Sequence, residues 1–214
     1  MARKTIAETL EQQRVLIFNS RKPEIAPLLE AFGVDNAYLN KGEALYNEVI
    51  QLSENQKKEQ QEESLAFDTF YETKSDCELK YKRTRKIVKM ASRSDKNLQD
   101  RLKIYAPKER AIEEWLKQTI EFYNLVFNES DFLNSLSKFG ITSETLTAEK
   151  QGIESLKSLR NEAKAEKGQS QEATRLRNVK MDELEDYCYE LKTLATIALE
   201  DQPQLLEELG ILVR

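Results

Sequence analysis

Apolar side chains recur at helical spacing along this chain, and each half of the chain shows the same order of helices and breaks. Amphipathic helices are predicted at about residues 6–18 and 109–127, because apolar positions repeat there every three or four residues. A polar break and a short second helix follow each of them. Gly33 and Gly140, each followed by an apolar residue, are predicted to end those short helices in the left-handed conformation.

The long polar-rich middle of each half is predicted to be a single helix. Residues 40–93 and 147–200 contain no proline, and an apolar count every 3.5 residues stays in phase across the polar stretch 53–64 and its counterpart. Each helix is expected to have about 50 residues and a length of about 75 to 80 Å. Three shorter helices per half, with a turn near Glu62 or Gln169, are the alternative.

The two halves come into register when the chain is shifted against itself by half its length, without a gap. We call this the half-chain shift. The identical pairs near the glycine stops are Leu29 with Leu136, Phe32 with Phe139, Gly33 with Gly140 and Leu39 with Leu146. We interpret this pattern as a tandem duplication. It divides the chain into a first helical repeat at residues 1–104 and a second at residues 105–214, packed together as one body.

Composition agrees with a helical fold. Of the 214 residues, 39% are apolar and 33% are charged, and only 6 are Gly and 4 are Pro. Such a composition is typical of long helices rather than of turn-rich β architecture. The sequence therefore predicts an all-α fold, an internally duplicated, elongated helical bundle or antiparallel coiled coil with long helices.

The same composition narrows the chemistry. The chain contains no His, which removes the usual neutral-pH general base and the commonest metal ligand. Cys77 and Cys188 are too few for a disulfide framework or a four-cysteine metal site and are expected to be buried. No short cofactor motif is present. We expect no catalytic, cofactor-binding or metal-binding residues, and therefore no enzyme.

Aromatic and acidic clusters have structural explanations. Trp115 and Phe122 recur at helical spacing with apolar neighbours, so packing in the core is favoured, with a ligand groove as the alternative. The acidic residues within 182–186 are expected to form a solvated helix face rather than a metal site. The chain shows no export signal and no apolar stretch long enough for a bilayer, so the expected compartment is the cytoplasm.

Charge is the feature that bears most on a partner. Residues 80–110 carry twelve basic and three acidic side chains, a net charge of +9, whereas residues 182–208 have a net charge of −8. Complementary charges can steer the halves of the chain, or two chains, into antiparallel register. Alternatively, the basic segment can contact nucleic acid or another polyanion. A solvated face is the third explanation.

The candidate residues for contact with a polyanion or a partner are Lys82, Arg83, Arg85, Lys86, Lys89 and Arg93. The whole chain has a net charge of −5, so non-specific nucleic-acid binding is less favoured than pairing with a protein, either a second copy or another protein. No membrane partner is expected.

Several short segments recur in the two halves, and they are residues 32–34 and 139–141 (Phe-Gly followed by Val or Ile), 39–40 and 146–147, and 56–59 and 163–166. Together with the ending at residues 197–211, they resemble a group of bacterial proteins with an internally duplicated helical repeat and no assigned activity. The resemblance implies a duplicated helical protein, and it carries over no catalytic residue. The basic stretch 81–89 departs from the Ala-rich composition that is usual in that group. Together these observations predict a non-enzymatic helical interaction or scaffolding protein, with a nucleic-acid or polyanion binder through residues 80–110 as the alternative.

Overall fold

Helices account for most of the residues that the computed structural model describes, 5–212. In chain order the α-helices are α1 (Ile6–Asn19), α2 (Ala26–Glu30), α3 (Asn36–Ala91), α4 (Lys96–Arg101), α5 (Ile112–Asn128), α6 (Ser130–Leu136), α7 (Ser143–Ala198) and α8 (Pro203–Glu208). A 3₁₀ turn at Ser137–Phe139 follows α6. No strand occurs among residues 5–212, so the predicted all-α class is confirmed.

The two long helices, α3 and α7, are continuous over 56 residues each. The polar stretch 53–64 is helical throughout, because Gln, Glu and Lys are good helix formers and the stretch contains no Gly or Pro. At 1.5 Å per residue each helix is about 84 Å long. The prediction of one long helix per half is confirmed, and the alternative of three shorter helices is wrong. Among the described residues, no helix is both long enough and apolar enough to cross a membrane.

Helix bounds follow the half-chain shift seen in the sequence. The shift that places Gly33 on Gly140 also places both ends of α3 on those of α7, and both ends of α4 on those of α8. Gly33 and Gly140 have φ angles of 85° and 75°, so the predicted left-handed stops are confirmed. Lys103 and Gly210 follow α4 and α8 and are related by the same shift. They also have positive φ angles, of 51° and 74°.

The chain forms two compact units, whose bounds differ from those of the two predicted repeats. Unit 1 is made from Met1–Gln60 and Gln169–Arg214, and unit 2 from Gln61–Gly168. Each unit therefore takes one part of α3 and one part of α7, together with shorter helices from both repeats. The repeats at 1–104 and 105–214, whose outermost residues 1–4 and 213–214 lie outside the described part, stay a prediction about the sequence.

In unit 1 the first part of α3 pairs with the last part of α7 in antiparallel order. The Tyr38 ring stacks on that of Tyr187 with centroids 4.9 Å apart. Further along α3, the Glu48 carboxylate lies 3.5 Å from the Lys180 ammonium. Residue numbers rise on one helix as they fall on the other. The helices α1, α2 and α8 complete a core whose fully buried members include Ile17, Leu29, Val49, Leu184 and Leu199.

In unit 2 the last part of α3 pairs with the first part of α7, again in antiparallel order. The Thr84 hydroxyl donates a hydrogen bond to the Glu149 carboxylate at 2.8 Å, and Cys77 lies beside Gly152. The helices α4, α5 and α6 complete the core, whose most buried members include Leu102, Trp115, Tyr123, Leu136 and Ile153. Core packing of Trp115, predicted from its helical spacing, is confirmed.

Candidate functional site

A groove in unit 2 collects most of the predicted contact residues. The last part of α3, the segment after α4 and the start of α5 enclose a space of about 430 Å³, which we call the basic groove. Its cationic side chains are Lys82, Arg85, Lys86, Lys89 and Lys108, and its aromatic side chains are Tyr81, Tyr105 and Trp115. The α3 residues reach one groove because they are spaced three or four positions apart and share one helix face.

Four of the six candidate residues lie in the basic groove, and two do not. Arg83 is exposed but does not line the groove, because it is rotated by about 100° around the helix axis from its neighbour Lys82. Arg93 lies beyond the end of α3, after Ser92, and is exposed outside the groove. Lys108, which was not among the six, enters from the segment between α4 and α5. Its only signal in the sequence is its place within the basic stretch.

Arg85 has a structural role in the groove. Its Nη2 donates hydrogen bonds to the carbonyl oxygens of Ile104 at 2.5 Å and Ala106 at 2.6 Å, and its Nε donates to the Ile104 oxygen at 3.2 Å. These bonds attach the segment after α4 to the side of α3. Arg85 thereby fixes one wall of the groove.

Among the described residues that line the groove, one carboxylate, Glu78, lies among the cations. Its Oε1 is 2.5 Å from the Nζ of Lys108 and 3.4 Å from that of Lys74, and its Oε2 is 3.7 Å from that of Lys82. The hydrogen bond from Lys108 is the main cause that lowers the pKa of Glu78, against a smaller opposing effect of burial. For Lys86 and Lys89 no ion pair is found with any residue between 5 and 212. The groove therefore has an excess of positive charge.

The aromatic residues of the groove differ in exposure. Trp115 is only 2% exposed, and its indole N–H has no hydrogen-bond partner within the described chain. Tyr105 is 61% exposed, and the Lys89 ammonium lies 4.6 Å from the centre of its ring. The Lys74 and Lys108 ammonium groups lie 5.5 Å and 5.9 Å from the Trp115 ring. These distances are in the range of cation–π contacts.

A second space adjoins the basic groove. It has a volume of about 440 Å³, and we call it the adjoining groove. It shares Glu78, Lys108 and Trp115 with the basic groove. Its other lining residues are the exposed Tyr71, the partly buried Lys74, and Glu109, Arg110 and Ile112. The Lys108–Glu78 ion pair therefore lies where the two grooves meet.

Unit 1 contains a groove at the equivalent positions. Its volume is about 240 Å³, and we call it the unit 1 groove. The half-chain shift places Glu78, Tyr81, Lys82, Arg85 and Ile104 of the basic groove on its lining residues Glu185, Cys188, Tyr189, Lys192 and Ile211. Lys192 is the only cation among the described residues of its lining. Each unit therefore has its own groove at the equivalent positions, and the two grooves differ in charge.

The two cysteines and Tyr123 are held in their neutral forms. Burial raises the pKa of the Cys188 thiol to about 12, and it also raises the pKa of Cys77. Both cysteines are free and buried, as the sequence predicts. In unit 2 the Tyr123 hydroxyl donates to the Glu149 carboxylate at 3.0 Å, and burial followed by that charge raises the pKa of Tyr123. These groups are suited to packing rather than to attack on a substrate.

No protein-family model, curated protein or solved structure matches the chain. The resemblance to duplicated bacterial helical proteins therefore stays a prediction.

Proposed function

We propose that this chain is a non-enzymatic interaction protein and that it binds an anionic partner in the basic groove of unit 2. One observation carries the proposal: among the described residues, five cations and one carboxylate line this groove, whereas the equivalent unit 1 groove has a single cation. Lysine and arginine remain protonated at neutral pH, so they provide fixed positive charge rather than acid–base chemistry. A concave surface with such charge attracts polyanions and concentrates them.

The proposal is tested by removing charge from inside and outside the groove. We expect the triple variant Lys82→Glu, Lys86→Glu and Lys89→Glu to lose retention on an immobilised sulfated polysaccharide at low salt. The matched control reverses Arg83, Arg93 and Lys96, which are exposed in the same segment but outside the groove. This control should keep most of the retention, because it has the same net charge but an intact groove.

Equal loss in the two triple variants would mean that retention depends on overall charge, and it would refute the assignment to the groove. Both variants should melt within a few degrees of the unaltered protein, because exposed charges contribute little to folding. Circular dichroism during heating provides that check.

A protein partner, including a second copy of this chain, is the second candidate. The observation that favours it is the opposite charge of residues 182–208, a net −8 against the +9 of residues 80–110. Complementary segments of this kind steer association and fix register. Sedimentation velocity at low and high salt tests it, since a self-associating chain should dissociate as salt screens the charges.

We also propose that the two repeats arose by tandem duplication and that the protein acts in the cytoplasm. The coincidence of the bounds of α3 and α7 after the half-chain shift supports duplication, as do the left-handed stops related by the same shift. Two free, buried cysteines are usual for proteins of a reducing compartment. Fractionation of the native cell tests the compartment.

A further inference from the structure

We infer that the ligand of the basic groove is a single-stranded nucleic acid, whose bases stack on Tyr105 and Tyr71 while its phosphates contact the lysines of the basic groove. The inference rests on the proposed function and names the class of anion. Proteins that bind single strands without sequence preference combine a basic groove with aromatic side chains on which bases stack. Both components are present in unit 2.

Two exposed tyrosines provide the stacking surfaces. Tyr105 lies in the basic groove and Tyr71 in the adjoining groove, and they are 61% and 57% exposed. Each ring already has a neighbour that restricts its motion. The Lys89 ammonium lies over Tyr105, and Phe67 lies beside Tyr71 with ring centroids 6.2 Å apart and an interplanar angle of 24°. A restricted, exposed ring loses little freedom when a base stacks on it.

Lysines provide the phosphate contacts. Lys82, Lys86, Lys89 and Lys108 line the basic groove, and each is a compact charge on a flexible stem, which suits a backbone whose phosphates vary in position. Arg85 is not in this set because its guanidinium is bonded to main-chain oxygens. The arrangement favours charge contacts that do not depend on base sequence.

The Glu78 carboxylate repels an anion at the point where the two grooves meet. A phosphate at this point competes with the Glu78 carboxylate for Lys108, whose ion pair must open. Replacement of the carboxylate by an amide removes that competition. We therefore expect Glu78→Gln to bind a single strand more tightly than the unaltered protein, by about threefold or more, because the repulsion of one nearby charge is lost.

A single strand fits these features better than a duplex or an acidic peptide. The bases of a duplex are stacked on one another, so they cannot also stack on Tyr105 and Tyr71. An acidic peptide would use the lysines but would not need exposed aromatic rings. Both remain outcomes of the test below.

The sequence contains one tryptophan, Trp115, which lines both grooves, so its emission reports ligand entry. The probes are oligo(dT), an abasic oligomer of equal phosphate number, a duplex of equal length and poly-glutamate. We expect oligo(dT) to bind about a hundredfold more tightly than the abasic oligomer, because each of the two stacked bases provides about tenfold. The log–log salt slope should be roughly −3 for four phosphate contacts.

Substitutions separate stacking from charge. Tyr105→Ala and Tyr71→Ala should each weaken oligo(dT) binding by about tenfold, because each removes one stacked base. They should leave binding of the abasic oligomer unchanged. Tyr189→Ala is the matched control, since Tyr189 is 76% exposed and belongs to unit 1. It should have no effect on either probe.

The outcomes distinguish this inference from the proposed function. Equal affinity for oligo(dT) and the abasic oligomer, with no effect of the tyrosine variants, overturns stacking and leaves the groove as a general anion site. Tighter binding of the duplex or of poly-glutamate overturns the single strand in favour of that class. No binding of any probe at low salt overturns the inference and the proposed function together.

Discussion

The basic groove of unit 2 and the unit 1 groove are built on equivalent helix positions but present different side chains. Where unit 2 has Lys86 and Lys89, unit 1 has Thr193 and Thr196 after the half-chain shift. The buried lining residues Ile104 and Ile211 are the same residue type. Buried positions are restricted by packing, whereas exposed positions can change charge at little cost in stability. Both units therefore form a groove at these positions, but only the groove of unit 2 has a high positive charge.

The cores of the two units differ in a second way. In unit 2 the Glu149 carboxylate accepts hydrogen bonds from the Thr84 and Tyr123 hydroxyls. The positions equivalent to Glu149, Thr84 and Tyr123 in unit 1 are Gly42, Leu191 and Leu16.

Unit 1 fills the space over its glycine with an aromatic ring. Tyr187 lies against Gly42, and its hydroxyl donates to the Tyr38 carbonyl oxygen at 3.0 Å. Burial raises the pKa of Tyr187 well above its ordinary value, so it remains a neutral donor. Unit 1 therefore packs the Tyr187 ring against the backbone of Gly42. In unit 2 the Glu149 carboxylate at the equivalent position accepts hydrogen bonds from two hydroxyls.

The largest effect is expected from a substitution that disrupts the ring packing in unit 1. A Cβ at residue 42 would overlap the ring of Tyr187, which is buried and stacked on Tyr38 and so cannot move aside. We expect Gly42→Ala to destabilise the protein by about 2 kcal/mol, because an overpacking cost of up to about 3 kcal/mol exceeds the gain of about 1 kcal/mol in helix propensity. The measurement is urea unfolding, with amide exchange to assign the loss to unit 1.

Gly168→Ala is the matched control, because Gly168 is helical and a Cβ there meets nothing within 4 Å. It should stabilise by about 0.5–1 kcal/mol through helix propensity. Similar losses in both variants would show that Tyr187 is not the cause.

The next effect concerns the polar cluster of unit 2. Thr84→Val keeps the shape of a buried side chain but removes a hydrogen bond to Glu149. We expect a loss of about 1.5–2 kcal/mol, as for a hydrogen bond to a charged group. Amide exchange should show faster opening in unit 2. If Thr84→Val has no effect in the unaltered protein but is costly with Tyr123→Phe, the two hydroxyls substitute for one another.

A smaller effect should be equal in the two units. Gly33 of unit 1 and Gly140 of unit 2 have positive φ angles, and a Cβ at either meets nothing within 4 Å. The cost of Gly33→Ala and Gly140→Ala is therefore one of backbone conformation, about 1 kcal/mol each. Thermal unfolding measures both. Unequal costs would indicate that the two stops differ in more than backbone angle.

The smallest effect is a gain. Lys103 of unit 2 has a positive φ angle at the position where unit 1 has Gly210. Lys103→Gly should stabilise by about 0.5–1 kcal/mol, because glycine adopts this conformation without a steric penalty. The lost ion pair with Glu121 is exposed and offsets little of the gain. A lower melting temperature in this variant would show that the ion pair dominates.

Sequence patterns predicted the local features of the chain correctly. The continuity of α3 and α7 and the stops at Gly33 and Gly140 depend on residues close together in sequence. Helix propensity and glycine's tolerance of positive φ act over a few residues, so they can be recognised without the fold. The burial of Trp115 followed from its helical spacing for the same reason.

Only the tertiary structure decided which basic residues share a site. Arg83 and Arg85 are both basic and two positions apart, yet one is exposed outside the groove and the other is bonded to its wall. Lys108 and Trp115 join the groove from beyond α4, a placement that depends on how helices distant in sequence pack. The division into units is also a tertiary result, because antiparallel pairing of α3 with α7 puts residues from both halves of the chain into each core.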